Sequence, residues 1–250
     1  MSTRISLLTA VGTAVALMAS APAMATTFAN FSAVDSSDNI HWTNTGASSG
    51  TISSGAQVDF SFLTTGTTSS PMDLLANFTL TGTSTSAAVQ QSGVVVQPNI
   101  NEGAFSFTYA GSTPFTYGGK TYASGTNLLS GTYQKAAIGG ANGSQSGVFL
   151  DDSNAQGAVT FTSGLLKFTN SGDAGFSLSL TSIFPTLSAA RDGALRSFDA
   201  VSTGSFYANL ASGGGTGGVP EPATWALMLI GVGAVGGAVR RRRTAAFAAA

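Results

Sequence analysis

The sequence predicts an all-β passenger domain, an antiparallel β-sandwich or jelly roll, flanked by an N-terminal leader and a single C-terminal hydrophobic helix. Three observations predict it. Apolar residues recur at every second position in many short runs. Gly- and Asn-rich breaks separate those runs. The composition is poor in charge and rich in residues that suit strands and turns: 8% charged and 43% hydrophobic residues, 32 glycines and 16 phenylalanines. An ordinary soluble domain carries about a quarter charged residues, whereas strands favour aromatic and β-branched side chains and turns favour Gly, Asn and Ser.

The alternation is explicit. Val58, Phe60 and Phe62 alternate with Gln57, Asp59 and Ser61. Leu74, Ala76, Phe78 and Leu80 alternate with Leu75, Asn77 and Thr79. The same period runs through Phe105-Phe107-Tyr109, Val159-Phe161, Phe176-Leu178-Leu180 and Phe206-Ala208-Leu210. A period of two gives a strand one buried and one wet face. Breaks are expected at Asn44-Thr45-Gly46, Thr81-Gly82-Thr83, Tyr117-Gly118-Gly119, Ala141-Asn142-Gly143 and Ser171-Gly172-Asp173, where Gly and Asn supply the positive φ of tight turns. Only Thr186 to Arg196 has helical character. No repeat of constant period marks a solenoid or propeller.

Four segments follow from composition. Residues 1–25 read as a signal peptide: Arg4, an apolar stretch from Ile5 to Met18, and the small-x-small site Ala23-Met24-Ala25, which makes Thr26 the first mature residue. Residues 26–211 are the passenger. Residues 212–218 are a flexible Gly-rich linker. Residues 219–250 open on Val219-Pro220-Glu221-Pro222, whose two prolines disfavour helix and sheet interiors. The uncharged stretch 223–239 is close to the lower limit of about 17 residues for a spanning helix. Gly231, Gly233, Gly236 and Gly237 admit close approach of another helix. Trp225 suits one membrane interface, and the cluster Arg240, Arg241, Arg242, Arg243 suits the cytoplasmic side of the inner membrane.

The order Pro220-Glu221-Pro222-Ala223-Thr224-Trp225-Ala226, apolar stretch, Arg240 to Arg243 resembles the PEP-CTERM sorting signal in its PEPxxWA form. The resemblance covers roughly the last thirty residues, and the tail Thr244 to Ala250 is longer than usual for it. It implies recognition by an exosortase, a membrane protease-transpeptidase, with Pro220, Glu221 and Pro222 as the recognised residues and Trp225 and Ala226 marking the subtype. It further implies a transient inner-membrane-anchored intermediate, then release to the cell surface or to an extracellular, exopolysaccharide-containing matrix.

The composition excludes several classes. There is no cysteine, hence no disulfide, zinc-thiolate site or thiol catalysis. Between the end segments only Lys120, Lys135, Lys167, Arg191 and Arg196 are basic, an acidic balance that disfavours nucleic acid. His41 is the only histidine, and Gly143-Ser144-Gln145-Ser146-Gly147 lacks the central serine of a nucleophile elbow, so His41 reads as a structural or surface residue. Asp35-Ser36-Ser37-Asp38-Asn39 and Asp151-Asp152-Ser153-Asn154 offer oxygens to calcium, but neither has EF-hand spacing and both read more simply as turns. Tyr109, Phe115, Tyr117 and Tyr122 are either core or a platform for sugar rings. No catalytic residue, metal ligand or cofactor site is expected. The leading expectation is a structural or interaction protein; a carbohydrate-binding module is second and a secreted hydrolase third.

Overall fold

The computed structural model describes residues 25–63, 72–151, 158–169, 174–190 and 193–210, all within the compact unit Ala23–Glu221. Among the described residues there are thirteen strands: β1 (Thr26–Ala33), β2 (Ile40–Gly46), β3 (Ser49–Phe62), β4 (Met72–Ser84), β5 (Val89–Gln91), β6 (Val94–Tyr109), β7 (Phe115–Tyr117), β8 (Lys120–Tyr122), β9 (Asn127–Ala141), β10 (Gly147–Asp151), β11 (Val159–Thr162), β12 (Gly175–Phe184) and β13 (Phe198–Ala208). Among the described residues there is no helix, and so none long and apolar enough to cross a membrane. The predicted leader, linker, Pro-Glu-Pro segment and hydrophobic helix lie outside the described residues.

The all-β antiparallel class is as the alternation predicts, but the architecture is a closed eight-strand barrel, not a sandwich or jelly roll. The hydrogen-bonded order is β9-β10-β12-β13-β1-β3-β4-β6, and β6 returns to β9. That last seam runs from Val94 opposite Ala141 to Thr108 opposite Asn127. A sandwich leaves two pairs of sheet edges open. Here β6 and β9, 16 and 15 residues long, bond along most of their length and remove the edges. Two wall positions are composite. Strand β2 continues the line of β1 between β13 and β3, and β11 continues the line of β10 along β9.

Every alternating run places its first-named set inside. Val58, Phe60, Phe62, Leu74, Ala76, Phe78, Leu80, Phe105, Phe107, Tyr109, Val159, Phe161, Phe176, Leu178, Leu180, Phe206 and Ala208 are buried, and Leu210 is half-buried. The interior is a continuous aromatic stack. Phe107 touches Phe31, Phe60, Phe78 and Phe206, with the Phe78 ring parallel at 4.7 Å. Small residues interleave with the large ones to fit the barrel's width. Thr81-Gly82-Thr83 is such a place, and not the break that its glycine suggests: it lies inside β4, paired to β3. Tyr133 lies over Gly82 and Gly103, and a Cβ on Gly103 would sit 1.8 Å from its Cζ.

Turn chemistry holds elsewhere. Gly118 and Gly119 have φ of 57° and 75° and close the two-residue β7–β8 hairpin. Gly143, in the Ala141-Asn142-Gly143 turn, has φ of 82°. Between β2 and β3 the tight turn falls at Ala47-Ser48, one residue beyond Asn44-Thr45-Gly46. Ser171-Gly172-Asp173 lies outside the described residues.

Both mouths are covered. At the Tyr109 end of β6, the β7–β8 hairpin packs Phe115 on Tyr109 and Tyr122, and Tyr117 on Phe62. At the other end, the described parts of 183–198 fold inward and bury Ile183, Leu187, Ala194 and Leu195. This segment is not helical as its composition suggests. Ala189 bridges Leu195, the Ala190 N–H bonds the Ala194 carbonyl, and the Arg196 N–H bonds the Ser188 carbonyl, so the chain pairs with itself. The buried Gln97 locks the cover: its Oε1 accepts the Leu195 N–H at 3.0 Å, and its Nε2 donates to the Ser86 carbonyl at 2.7 Å. The Trp42 indole donates to the Leu195 carbonyl at 3.1 Å.

Candidate functional site

Because the interior is packed with rings, chemistry is left to the outer wall. That wall is hydroxylic. Thr79 faces Ser106 at 2.8 Å, Thr132 faces Thr160 at 2.7 Å, and Gln57 bonds Asn77 at 3.4 Å. An apolar inside with a hydroxyl-rich outside is the reverse of a membrane-spanning barrel, which turns its apolar band to lipid.

His41 lies in this wall, on β2. Pairing places it opposite Asp199 of β13 on one side and Ser53 of β3 on the other. Its Nδ1 meets Asp199 Oδ1 at 2.6 Å, with the two side chains 46% and 52% exposed. Of the two sequence readings of His41, structural or surface, the placement is a surface one, while its acid partner, 158 residues away, is revealed only by the fold. A hydrolase needs histidine, carboxylate and hydroxyl gathered in a cleft. The three residues line up here on the open wall, and Ser53 makes no hydrogen bond to the imidazole. Next along the same row, β12 brings Phe184 opposite Asp199. Phe184 is 72% exposed, more than any other large apolar side chain described.

The remaining candidates resolve into structural roles. The Asp35 carboxylate accepts the Ser37 N–H at 2.8 Å, an Asx turn, and that hydrogen bond lowers its pKa. Asn39 is buried and clamps the backbone of Ser202 through both ends of its amide, at 2.7 and 3.3 Å. Asp151 accepts the Phe176 N–H at 3.0 Å and the Tyr207 hydroxyl at 3.4 Å; residues 152–154 lie outside the described residues. Among the described residues no three His, Asp or Glu side chains gather to hold a metal. Tyr109 is core, Phe115 and Tyr122 are half-buried against each other and Tyr117 is half-buried against Phe62, which removes them as an exposed row of sugar platforms. A shallow groove of about 680 Å³ on the outer wall is lined by Val94, Val96, Val148 and Leu150 over Gly139.

Sequence reading missed Phe184 and Asp199. One signal was present: the inward set Phe176, Leu178, Leu180 sits at even positions, and the next buried residue, Ile183, is odd. A slip of phase within a strand marks a bulge.

The described residues form a closed, aromatic-filled β-barrel that carries its only histidine on the exposed outer wall. Residues 218–243 match the family model of the PEP-CTERM protein-sorting motif. The match contains Pro220, Glu221, Pro222, Trp225, Ala226 and Arg240 to Arg243, all outside the described residues, whereas Ala25 of the predicted cleavage site directly precedes β1. The motif implies exosortase processing and export to the cell surface or extracellular space. No curated protein and no solved structure matches the chain.

Proposed function

We propose that this chain is a non-enzymatic structural or interaction protein of the cell surface or extracellular matrix. In this reading residues 1–25 are removed on export. Residues 223–239 then hold the chain in the inner membrane with Arg240 to Arg243 on the cytoplasmic side. An exosortase next recognises Pro220-Glu221-Pro222, with Trp225 and Ala226 beside it, and frees the barrel. The matched sorting motif carries the proposal. Two further observations support it. Strand β1 begins at Thr26, the residue that would open the mature chain. The last described contact of the barrel, the Phe168–Leu210 bridge, falls directly before the Gly-rich linker. A barrel whose interior is filled and whose outer wall is sparsely charged and rich in hydroxyls suits an extracellular module.

The test is the intact mass of the protein recovered from the envelope and medium of its host. A species running from about Thr26 to the Pro-Glu-Pro region is expected. A species retaining Arg240 to Arg243 in the final location would overturn processing and leave a permanent single-span anchor. Deleting residues 219–250 is expected to misplace or release the barrel; unchanged surface retention would contradict the sorting role.

A further inference from the structure

We infer that Phe184, Asp199 and His41 form a binding site for a neutral polysaccharide on the barrel's outer wall. This goes beyond the sorting reading, because it concerns what the barrel does once outside the cell.

The ring of Phe184 is set outward by the backbone. The β12–β13 register slips between Thr181 and Phe184, and Ser182 in that bulge has φ of 53°, the left-handed region that a non-glycine residue rarely occupies. The slip turns Ile183 into the core, where it is fully buried, and leaves Phe184 on the outer face. The position is firmly held, since the Ile183 N–H donates to the Gln145 carbonyl at 3.0 Å. Strained backbone that re-aims one side chain is a recurrent mark of binding sites. Here it presents the sole aromatic among the exposed large apolar side chains of the described residues.

Beside the ring stands the Asp199–His41 pair. Their bond uses Asp199 Oδ1 and His41 Nδ1. Asp199 Oδ2 and His41 Nε2 make no hydrogen bond within the described residues, nor does the Ser53 hydroxyl next in the row. The row therefore offers one apolar platform followed by an acceptor, an imidazole nitrogen and a hydroxyl. A sugar ring matches this in kind: one face is C–H and packs on an aromatic ring, while its edge hydroxyls both donate and accept. From Phe184 to Ser53 the row crosses three strand intervals, about 14 Å at roughly 4.8 Å each. That length takes more than one sugar ring, which favours a chain over a monosaccharide. Beyond Ser53 the row continues to Thr81 of β4, another hydroxyl.

Other ligand classes fit less well. A nucleic acid or acidic polymer needs lysine or arginine, and the row has none. A cation needs more ligands than one carboxylate and one imidazole. A protein partner needs a broad apolar core around its anchor, whereas the residue paired with Phe184 across the sheet is the charged Asp199.

Affinity electrophoresis of the full protein tests the inference, with gels containing hydroxyethylcellulose, galactomannan or, as the acidic comparison, alginate. At least one neutral polymer is expected to retard the protein, and to do so still at about 1 M salt, where the Debye length is about 3 Å. Phe184→Ala is expected to weaken that binding at least about tenfold, as the loss of a stacking anchor does. Phe184→Trp should restore it, Asp199→Asn and His41→Ala should each weaken it several-fold, and Val148→Ala should leave it unchanged. Phe184 is exposed, so unchanged circular dichroism and melting of its variants will separate lost binding from lost folding. Failure of both neutral polymers to retard the wild type, or a Phe184→Ala protein that is retarded equally, would overturn the inference. So would a Phe184-dependent self-association with no polymer effect, which would make the ring a protein contact. A failed binding test leaves the mass of the processed protein, and with it the sorting reading, untouched.

Discussion

The two faces of the barrel wall are made by the same strands and do opposite work. On β6, Phe105, Phe107 and Tyr109 point inward and are buried, while Ser106 and Thr108 point outward. Inside, each ring meets several others, and glycines make room for them, so any change of volume is felt. Outside, hydroxyls meet one another across strands and exchange readily with water, so most changes cost little. Stability therefore resides on one face and recognition on the other, and a mutation's effect depends on the parity of its position.

The largest expected effect is inside. Phe107→Ala empties the centre of the ring stack and should destabilise the barrel by about 3–5 kcal/mol, read as a drop in melting temperature or denaturant midpoint. A loss near that of an exposed site would refute the distinction between faces. Gln97→Met tests the cover. It keeps the length of the side chain but removes both the acceptor for the Leu195 N–H and the donor to Ser86, for an expected cost of about 1–3 kcal/mol. Hydrogen exchange at Leu195 and its neighbours should rise with it.

Tyr133→Phe is smaller and depends on pH. The hydroxyl donates to the Thr81 carbonyl at 2.9 Å, and its loss should cost about 1 kcal/mol near neutrality. Burial pushes the Tyr133 phenol above its ordinary value, because the charged form is disfavoured inside. The unfolded phenol ionises at about pH 10. Stability from the neutral buried phenol is thus complete below about pH 10 and is lost as pH rises above it. The advantage of wild type over Tyr133→Phe should shrink through that window; a gap that widens would contradict the sign. The smallest effect is outside. Thr132→Val breaks the hydroxyl pair with Thr160 and should shift stability by less than about 0.5 kcal/mol in chemical denaturation.

The candidate site shows how function falls between these faces. His41 was legible as a structural or surface residue, as the only histidine in a chain without a nucleophile elbow, yet nothing in a linear reading joins it to Asp199. The two meet because β2 inserts between β13 and β3, a pairing that closes a long loop in sequence. Phe184 carried a faint signal in the phase slip before Ile183. Its exposure follows from a bulge, which composition does not announce. Conversely, the aromatics Tyr109, Phe115, Tyr117 and Tyr122 of the Gly- and Thr-rich stretch read either as core or as a platform. They are drawn inward because the barrel's mouth needs apolar cover and a hairpin beside it supplies rings.

By itself the sequence determined the all-β class, the parity of the buried faces in its alternating runs and the sorting motif at 218–243, because each is written in local order: a period of two, and a short string of prolines, apolar residues and arginines. Only the tertiary structure decided that the sheet closes. Closure depends on which long strands pair, β6 with β9, and on bulges whose register is fixed when the whole ring of side chains packs at once. The same closure decided which polar residues became neighbours on the outer wall, since strand order, and not distance along the chain, sets who stands beside whom.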